Sequence, residues 1–388
     1  MYTPAMTLIA DNAALAAACE RFSKEPYIAV DTEFLRDKTY YARLCVVQIG
    51  GINESVAIDA LAPGLDLAPL YELMTNEHVL KVFHAGRQDI EIFFQMAEAI
   101  PHPIFDTQVA AMVCGFGDSV GFETLAMKLA NAQVDKSMRF TDWSRRPLQD
   151  SQIDYALADV IHLRPIYESL LKTLSDNGRV KWLEEEMTIL TNPDTYRMEP
   201  QNAWKRLKSR NIKPRFLAIL REVAAWRETE AKRRDVPRNR IIRDDALMEL
   251  AATAPSSPKD LAHSRSFPKN QAESAMGKAA LDAVARGAAL AVKDCPNPEQ
   301  KPDLPSNLKP VVELLKVLLK AKCENEGVAQ KLVANGSELE MIALDDEADV
   351  PALHGWRRAM FGEDALALKH GKLALSAGKG AVKVIPVD

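Results

Sequence analysis

No apolar run in this 388-residue chain approaches the roughly 18–20 residues that cross a bilayer, so a helical membrane protein is excluded. The first ten residues lack a basic stretch ahead of an apolar one, which argues against a secretory leader and predicts a cytoplasmic protein. Cysteine is sparse: Cys19, Cys45, Cys114, Cys295 and Cys323 are scattered, with no CxxC pair and no histidine at zinc spacing. A disulfide framework and a structural zinc site are therefore not expected. The chain also lacks a positive balance, having 49 basic and 54 acidic residues for a net charge of −5. Taken alone, that deficit argues against a polyanionic partner. The remaining composition, 47% hydrophobic and 27% charged, is that of a folded globular protein rather than a disordered one.

The charge is unevenly spread. Residues 1–192 carry 16 basic and 27 acidic groups, a balance of −11, whereas residues 197–245 carry 15 basic and 7 acidic, a balance of +8. The length predicts two or three domains. Short apolar strands at Tyr27–Val30, Leu44–Ile49, Ser55–Ile58 and Val79–Phe83 precede a helix from about Gln88, which together imply a mixed sheet flanked by helices. From about Phe122 the pattern is helical. Asn192-Pro193-Asp194 ends the first unit, and a stretch from Cys295 to Pro305 with four prolines reads as a linker. The expected organisation is an α/β domain over 1–192, a helical domain over 197–292 and a second helical domain over 306–385, the last two similar in length and character.

Four carboxylates and one tyrosine carry the chemical argument. Asp31 and Glu33 lie two apart at the end of a strand, which places both on one face. Carboxylates held side by side repel unless a cation lies between them. A lone D-x-E triplet is also a common solvated strand end. Asp89 follows the fourth strand at a strand-to-helix junction, where it also complements a helix dipole. Tyr155 and Asp159, in Ile153-Asp-Tyr-Ala-Leu-Ala-Asp-Val-Ile161, stack one turn apart on a helix. The combination is more specific than its parts, because these elements can converge on one ion cluster. An all-oxygen donor set selects Mg²⁺ or Mn²⁺, and two such ions support in-line phosphodiester hydrolysis.

Asp31-Thr-Glu33, His84-Ala-Gly-Arg-Gln-Asp89 and Tyr155-Ala-Leu-Ala-Asp159 resemble the three exonuclease motifs of the DEDD superfamily, in its tyrosine-bearing subclass, and within it the ribonuclease D family. Lys136-Ser137, Thr141-Asp-Trp143 and Arg146-Pro-Leu148 are similar to the stretch ahead of that family's third motif. Trp204-Lys-Arg-Leu-Lys208, Ala225-Trp-Arg-Glu228 and Arg234-Asp-Val-Pro-Arg-Asn-Arg240 resemble the HRDC module, and Gly355-Trp-Arg-Arg358 the family's terminal helical domain. The resemblance implies a ribonuclease H-like mixed-sheet exonuclease domain followed by two all-α, HRDC-type domains. It implies that Asp31, Glu33, Asp89 and Asp159 bind two divalent ions (Mg²⁺ or Mn²⁺) and that Tyr155 completes the site. The activity implied is 3′-to-5′ trimming of single-stranded RNA 3′ tails, with release of nucleoside 5′-monophosphates. Precursor tRNA is the substrate that the resemblance suggests.

A neutral phenol is a poor base at pH 7, so Tyr155 is expected to orient the attacking water rather than deprotonate it. Phe34, Gln48 and His84 flank the site and are candidates for contact with the terminal nucleotide, while Lys136, Arg139, Arg145 and Arg146 form a basic patch just ahead of the third motif that is expected to guide the strand. The basic stretch, represented by Arg206, Arg215 and Arg234 and including Arg210 and Arg238, is expected to hold the phosphate backbone. Trp204 and Trp226 read as core anchors. The five site residues do not distinguish ribose from deoxyribose, so a DNA 3′-to-5′ exonuclease stays open, as does an RNA-binding protein with a structural acidic cluster. No obligate protein partner is implied, and a monomer is expected.

Overall fold

The computed structural model describes residues 5–209, 211, 213–296 and 304–387. The centre of the proline-rich linker and Arg210 lie outside the described residues. The first unit opens with two elements that hydropathy periodicity does not single out, β1 (Ala5–Ile9) and α1 (Asn12–Phe22), the latter capped by Asp11 accepting from the Ala14 N–H at 2.9 Å. The expected strands follow, longer than their apolar cores suggest: β2 (Tyr27–Leu35), β3 (Arg43–Gly50) and β4 (Glu54–Asp59). Then come α2 (Ala68–Thr75), β5 (Leu80–Phe83), α3 (Arg87–Ala97), β6 (Ile104–Asp106), α4 (Thr107–Val113), α5 (Phe122–Leu129), α6 (Asp150–Asp176) and α7 (Val180–Leu190).

The six strands form one mixed sheet in the order β1-β4-β3-β2-β5-β6. The meander β2-β3-β4 is antiparallel, while β1 joins β4, and β5 and β6 extend from β2, in parallel. Both sheet faces are covered, so β3 is buried along its whole length after Arg43. Helix α6 lies across β2, β3 and β4, and it comes close enough that a Cβ on Gly50 would meet the Val160 carbonyl at 3.0 Å. That close approach brings one helix face down onto the end of β2.

The second unit contains α8 (Pro214–Arg234), α9 (Arg238–Ile241), α10 (Asp244–Thr253), α11 (Pro258–Ala262) and α12 (Ala275–Ala289) around its own core of Phe216, Leu220, Leu247, Phe267 and Ala280. Trp204 and Trp226 pack against this core, as expected of anchors. The third contains α13 (Lys309–Glu326), α14 (Gln330–Val333), α15 (Gly336–Leu344), α16 (Gly355–Arg357) and α17 (Glu363–Lys369), with a separate core around Leu315, Ile342 and Phe361. Here the expectation of helix to residue 385 is corrected: the unit ends in a hairpin of β7 (Leu373–Gly378) and β8 (Ala381–Pro386). Lys379 and Gly380 both have positive φ, 53° and 80°, as a two-residue hairpin turn requires, and Val382 and Val384 turn inward at alternate positions.

Both helical units dock on the first. Tyr40, in the loop after β2, donates its hydroxyl to Glu228, and the Tyr40 and Tyr41 N–H groups both donate to Asp235 at 3.0 and 3.1 Å. On the other side, Trp182 of α7 stacks on Trp356 with centroids 4.3 Å apart, and Arg179 reaches Glu326 at 2.9 Å. Among the described residues no helix is long and apolar enough to cross a membrane.

Candidate active site

Strand β2 carries Asp31 and Glu33 on the face covered by α6, in register opposite Gln48 and Val46 of β3. The register breaks between Glu33 and Phe34, a bulge that bends the strand end next to the two acids. One turn of α6 separates Tyr155 from Asp159, so both face the same strand end. One carboxylate oxygen each from Asp31, Glu33 and Asp159 lies within 4.8 Å of the others. The Tyr155 hydroxyl donates to Asp159 and favours its charged form.

Asp89 is not part of this triplet, though it is buried beside it in the first turn of α3. Its carboxylate accepts a hydrogen bond from the Thr32 hydroxyl, the residue between the two β2 acids. The turn that delivers Asp89 is tightly built. Ala85 takes a positive φ of 54°, and the Ala85 and Gly86 N–H groups donate to Asp106 at 3.1 and 2.8 Å. A Cβ at Gly86 would lie 2.5 Å from the Phe83 Cβ, so only glycine fits there.

The electrostatics follow from burial. Burial first, then the Asp159 charge, pushes Asp31 up to about 8. Burial, then Asp31 and its acidic neighbours, pushes Glu33 up to about 9. Asp159 is raised by burial to about 7, against the Tyr155 hydrogen bond and the Arg139 charge. Burial and then Asp31 raise Asp89 well above the carboxylate range. Tyr155 is also raised, by burial and then Asp159, so its phenol is neutral at physiological pH. Converging carboxylates that resist ionisation are a poor arrangement by themselves and a good one around a hard divalent cation, whose charge reverses each of these shifts. The all-oxygen donor set fits such an ion.

The other residues singled out in the sequence have varied fates. Phe34 is half-buried just past the bulge. Gln48 is fully buried opposite Asp31, and its amide has no hydrogen-bond partner among the described residues. His84 is tied to the strand end, with Nδ1 at 3.0 Å from the Thr107 hydroxyl and its ring edge-on to Phe122. Lys136 pairs with Glu123. Arg206 is exposed on a cleft of about 1270 Å³ between the first and second units, together with Arg36, Arg87, Arg197, Lys232 and Arg238.

Two members of the basic stretch are committed elsewhere. Arg215 donates to the Ala288 and Leu290 carbonyls at 2.5 and 2.6 Å, closing the C-terminus of α12. Arg234 pairs with Glu230 at 2.5 Å, a partner it shares with Arg233. Sequence reasoning overlooked Thr32, although it sits inside the first motif. It overlooked Tyr40 as well, for which the sequence carries no signal because its partners are almost 200 positions away.

Known proteins resemble this chain in both sequence and fold. Residues 6–175 match the family model described as 3′-5′ exonuclease, and residues 216–284 match the HRDC domain. Ribonuclease D of Nitrobacter hamburgensis is 52% identical over 377 residues, spanning 97% of this chain and 98% of that protein. Ribonuclease D of Granulibacter bethesdensis is 49% identical over 383 residues, spanning 98% and 97%. The crystal structure of Escherichia coli RNase D superposes with a TM-score of 0.81 at 28% identity, covering 95% of this chain and 99% of that one. Matched from end to end by such relatives, in sequence and in fold, the chain belongs to the ribonuclease D family of 3′-to-5′ exoribonucleases.

Proposed function

We propose that this enzyme shortens single-stranded 3′ tails of RNA, precursor tRNA among them, and releases nucleoside 5′-monophosphates, acting as a cytoplasmic monomer that needs no protein partner. The observation that carries the reading is the approach of Asp31, Glu33 and Asp159 oxygens to within 4.8 Å of one another, with Asp89 alongside. These four residues would hold two divalent ions, Mg²⁺ or Mn²⁺, which acidify the attacking water and stabilise the departing 3′ oxygen. Asp31, central in β2 between Asp159 and Asp89, is the ligand suited to both. Tyr155 stays protonated, so its hydroxyl orients the water and does not remove its proton. Thr32 fixes the rotamer of Asp89.

The reading divides the chain into a catalytic domain over 1–192, a helical domain over 197–292 that supplies cations for the RNA backbone, and a third domain over 306–385 whose helices are followed by the terminal hairpin. Support for RNA as substrate comes from the relatives, the E. coli protein being described as an exoribonuclease involved in structured RNA processing. Matched 5′-labelled RNA and DNA oligomers test the assignment. With Mg²⁺, RNA is expected to shorten from its 3′ end with nucleoside 5′-monophosphate as product, and Asp31→Asn to slow this by about a thousandfold. Equal rates on DNA would overturn the RNA assignment. Undiminished Mg²⁺-dependent cleavage by the Asn variant would overturn the catalytic one.

A further inference from the structure

The irregular segment between α5 and α6 carries four basic side chains, and three are committed within the chain. Lys136 pairs with Glu123, Arg145 lies 3.5 Å from Asp142, and Arg146 grips Asp59 with two contacts of 2.7 and 2.5 Å. Arg139 alone of the four pairs with no carboxylate among the described residues. Its charge instead reaches the catalytic groups, opposing the upward shifts of Glu33, Asp159 and Tyr155. The next residue, Phe140, is 90% exposed, more than any other large apolar side chain of the described residues. The Arg139 guanidinium lies 5.4 Å from its ring centroid.

This pair is not at the tip of a loose loop, because the residues on either side of it are anchored. Met138 packs into the cluster that contains Tyr155 and the buried Trp143, whose ring centroids are 6.1 Å apart. The Thr141 hydroxyl donates to the Met138 carbonyl at 2.8 Å and accepts from the Gln152 amide at 3.1 Å, and Gln152 precedes Tyr155 by three residues on α6. The backbone therefore presents an apolar ring and an unpaired guanidinium side by side at the Tyr155 end of the acidic cluster. A fold that buries Trp143 three positions further on leaves this ring in water. The side chains match the two chemically distinct parts of a nucleotide, a base with a π-face and a phosphate.

We propose that Arg139 and Phe140 clamp the 3′ end of the RNA strand: the Phe140 ring stacks on a base adjoining the scissile phosphate, and the Arg139 guanidinium binds its phosphate oxygens. The clamp rests on the exoribonuclease reading and adds to it two substrate-contacting residues. Stacking accepts any base, so it holds the end of the strand without reading sequence.

Steady-state kinetics on RNA oligomers with an intact end, or with an abasic ribose at the last or penultimate position, test the clamp. Phe140→Ala is expected to raise KM on the intact oligomer about tenfold with kcat little changed, and Phe140→Trp to restore it. At one of the two abasic positions the difference between wild type and Phe140→Ala should vanish, since the ring then has nothing to stack on. Arg139→Ala should raise KM and reduce the slope of log affinity against log salt by roughly 0.7, one single-strand phosphate contact. The clamp is overturned if Phe140→Ala leaves KM unchanged, if both abasic substrates preserve its full effect, or if Arg139→Ala leaves the salt slope unaltered. A wild-type enzyme that releases no nucleoside 5′-monophosphate from the intact oligomer would overturn the exoribonuclease reading instead. At 90% exposure Phe140 supports little of the fold, so an unchanged melting temperature certifies the variant.

Discussion

Asp31, Glu33 and Asp159 hold their protons up to about 8, 9 and 7, against roughly 4 for the same groups in an unfolded chain. A carboxyl group raised on folding contributes stability that is fully present below its unfolded pKa and is lost as pH rises through its folded pKa. The metal-free protein should therefore lose melting temperature from about pH 4, where these groups ionise in the unfolded chain, to about pH 9, where the last of them ionises in the folded one. Mg²⁺ should recover more of it at pH 9 than at pH 6, because the ion binds the ionised acids. Asp31→Asn removes one repelling charge and should flatten the decline. A melting temperature of the metal-free protein that is level across this window, read by calorimetry with and without Mg²⁺, would contradict the account. This triplet was legible in the sequence because period-two and i, i+4 spacings fix which side chains share a face. Thr32 holding Asp89 was not, nor was Arg146 gripping Asp59, because both depend on partners brought together only by the sheet.

Helix α8 shows what charge counting alone misses. Its segment has the strongest positive balance in the chain, yet Arg227 is buried and pairs with Asp244 at 2.6 Å, Arg233 and Arg234 share Glu230, and Glu228 on the same helix pairs with Arg238 at 2.6 Å. The Glu228 carboxylate is 1% exposed, whereas Arg238 keeps about a third of its surface. Arg238→Ala should then cost stability, about 2–3 kcal/mol, less than for a fully buried pair and chiefly because Glu228 is left buried without its partner. It should hardly alter the salt dependence of RNA binding. Arg206→Ala should do the reverse, lowering RNA affinity and flattening the salt slope at unchanged melting temperature. If instead Arg238→Ala flattened the slope without moving the melting temperature, the structural role would be wrong. Element types were legible where apolar periodicity was strong, as in β2 to β5. The terminal hairpin was hidden because its strands are short and half-exposed, although Lys379-Gly380 between alternating Leu375 and Val382 was an available turn signal.

At the scale of the whole molecule, the net −5 conceals a −11 unit that carries the acidic cluster and a +8 stretch beside it, the remaining residues adding −2, and the two face each other across the cleft of about 1270 Å³. Neither half handles a phosphate chain well alone. The first repels it, and the second has no carboxylate triplet among the described residues. The docking contacts make this division mechanical as well as electrostatic, since Tyr40 and Tyr41 sit in the loop directly after the catalytic strand and are held by Asp235 and Glu228 of the second unit. A chain ending at Tyr196 keeps the aromatic that packs on the first core and removes the cationic stretch. It is expected to retain turnover on short oligomers, where affinity comes from the site, while KM for tRNA-sized RNA rises and its dependence on salt flattens. Tyr40→Phe in the full chain separates the two contributions: it breaks the Glu228 contact but leaves every cation in place. Its KM should keep the full salt slope. Unchanged affinity of the truncated chain for tRNA-sized RNA, measured at two salt concentrations, would show that the +8 stretch does not hold the substrate.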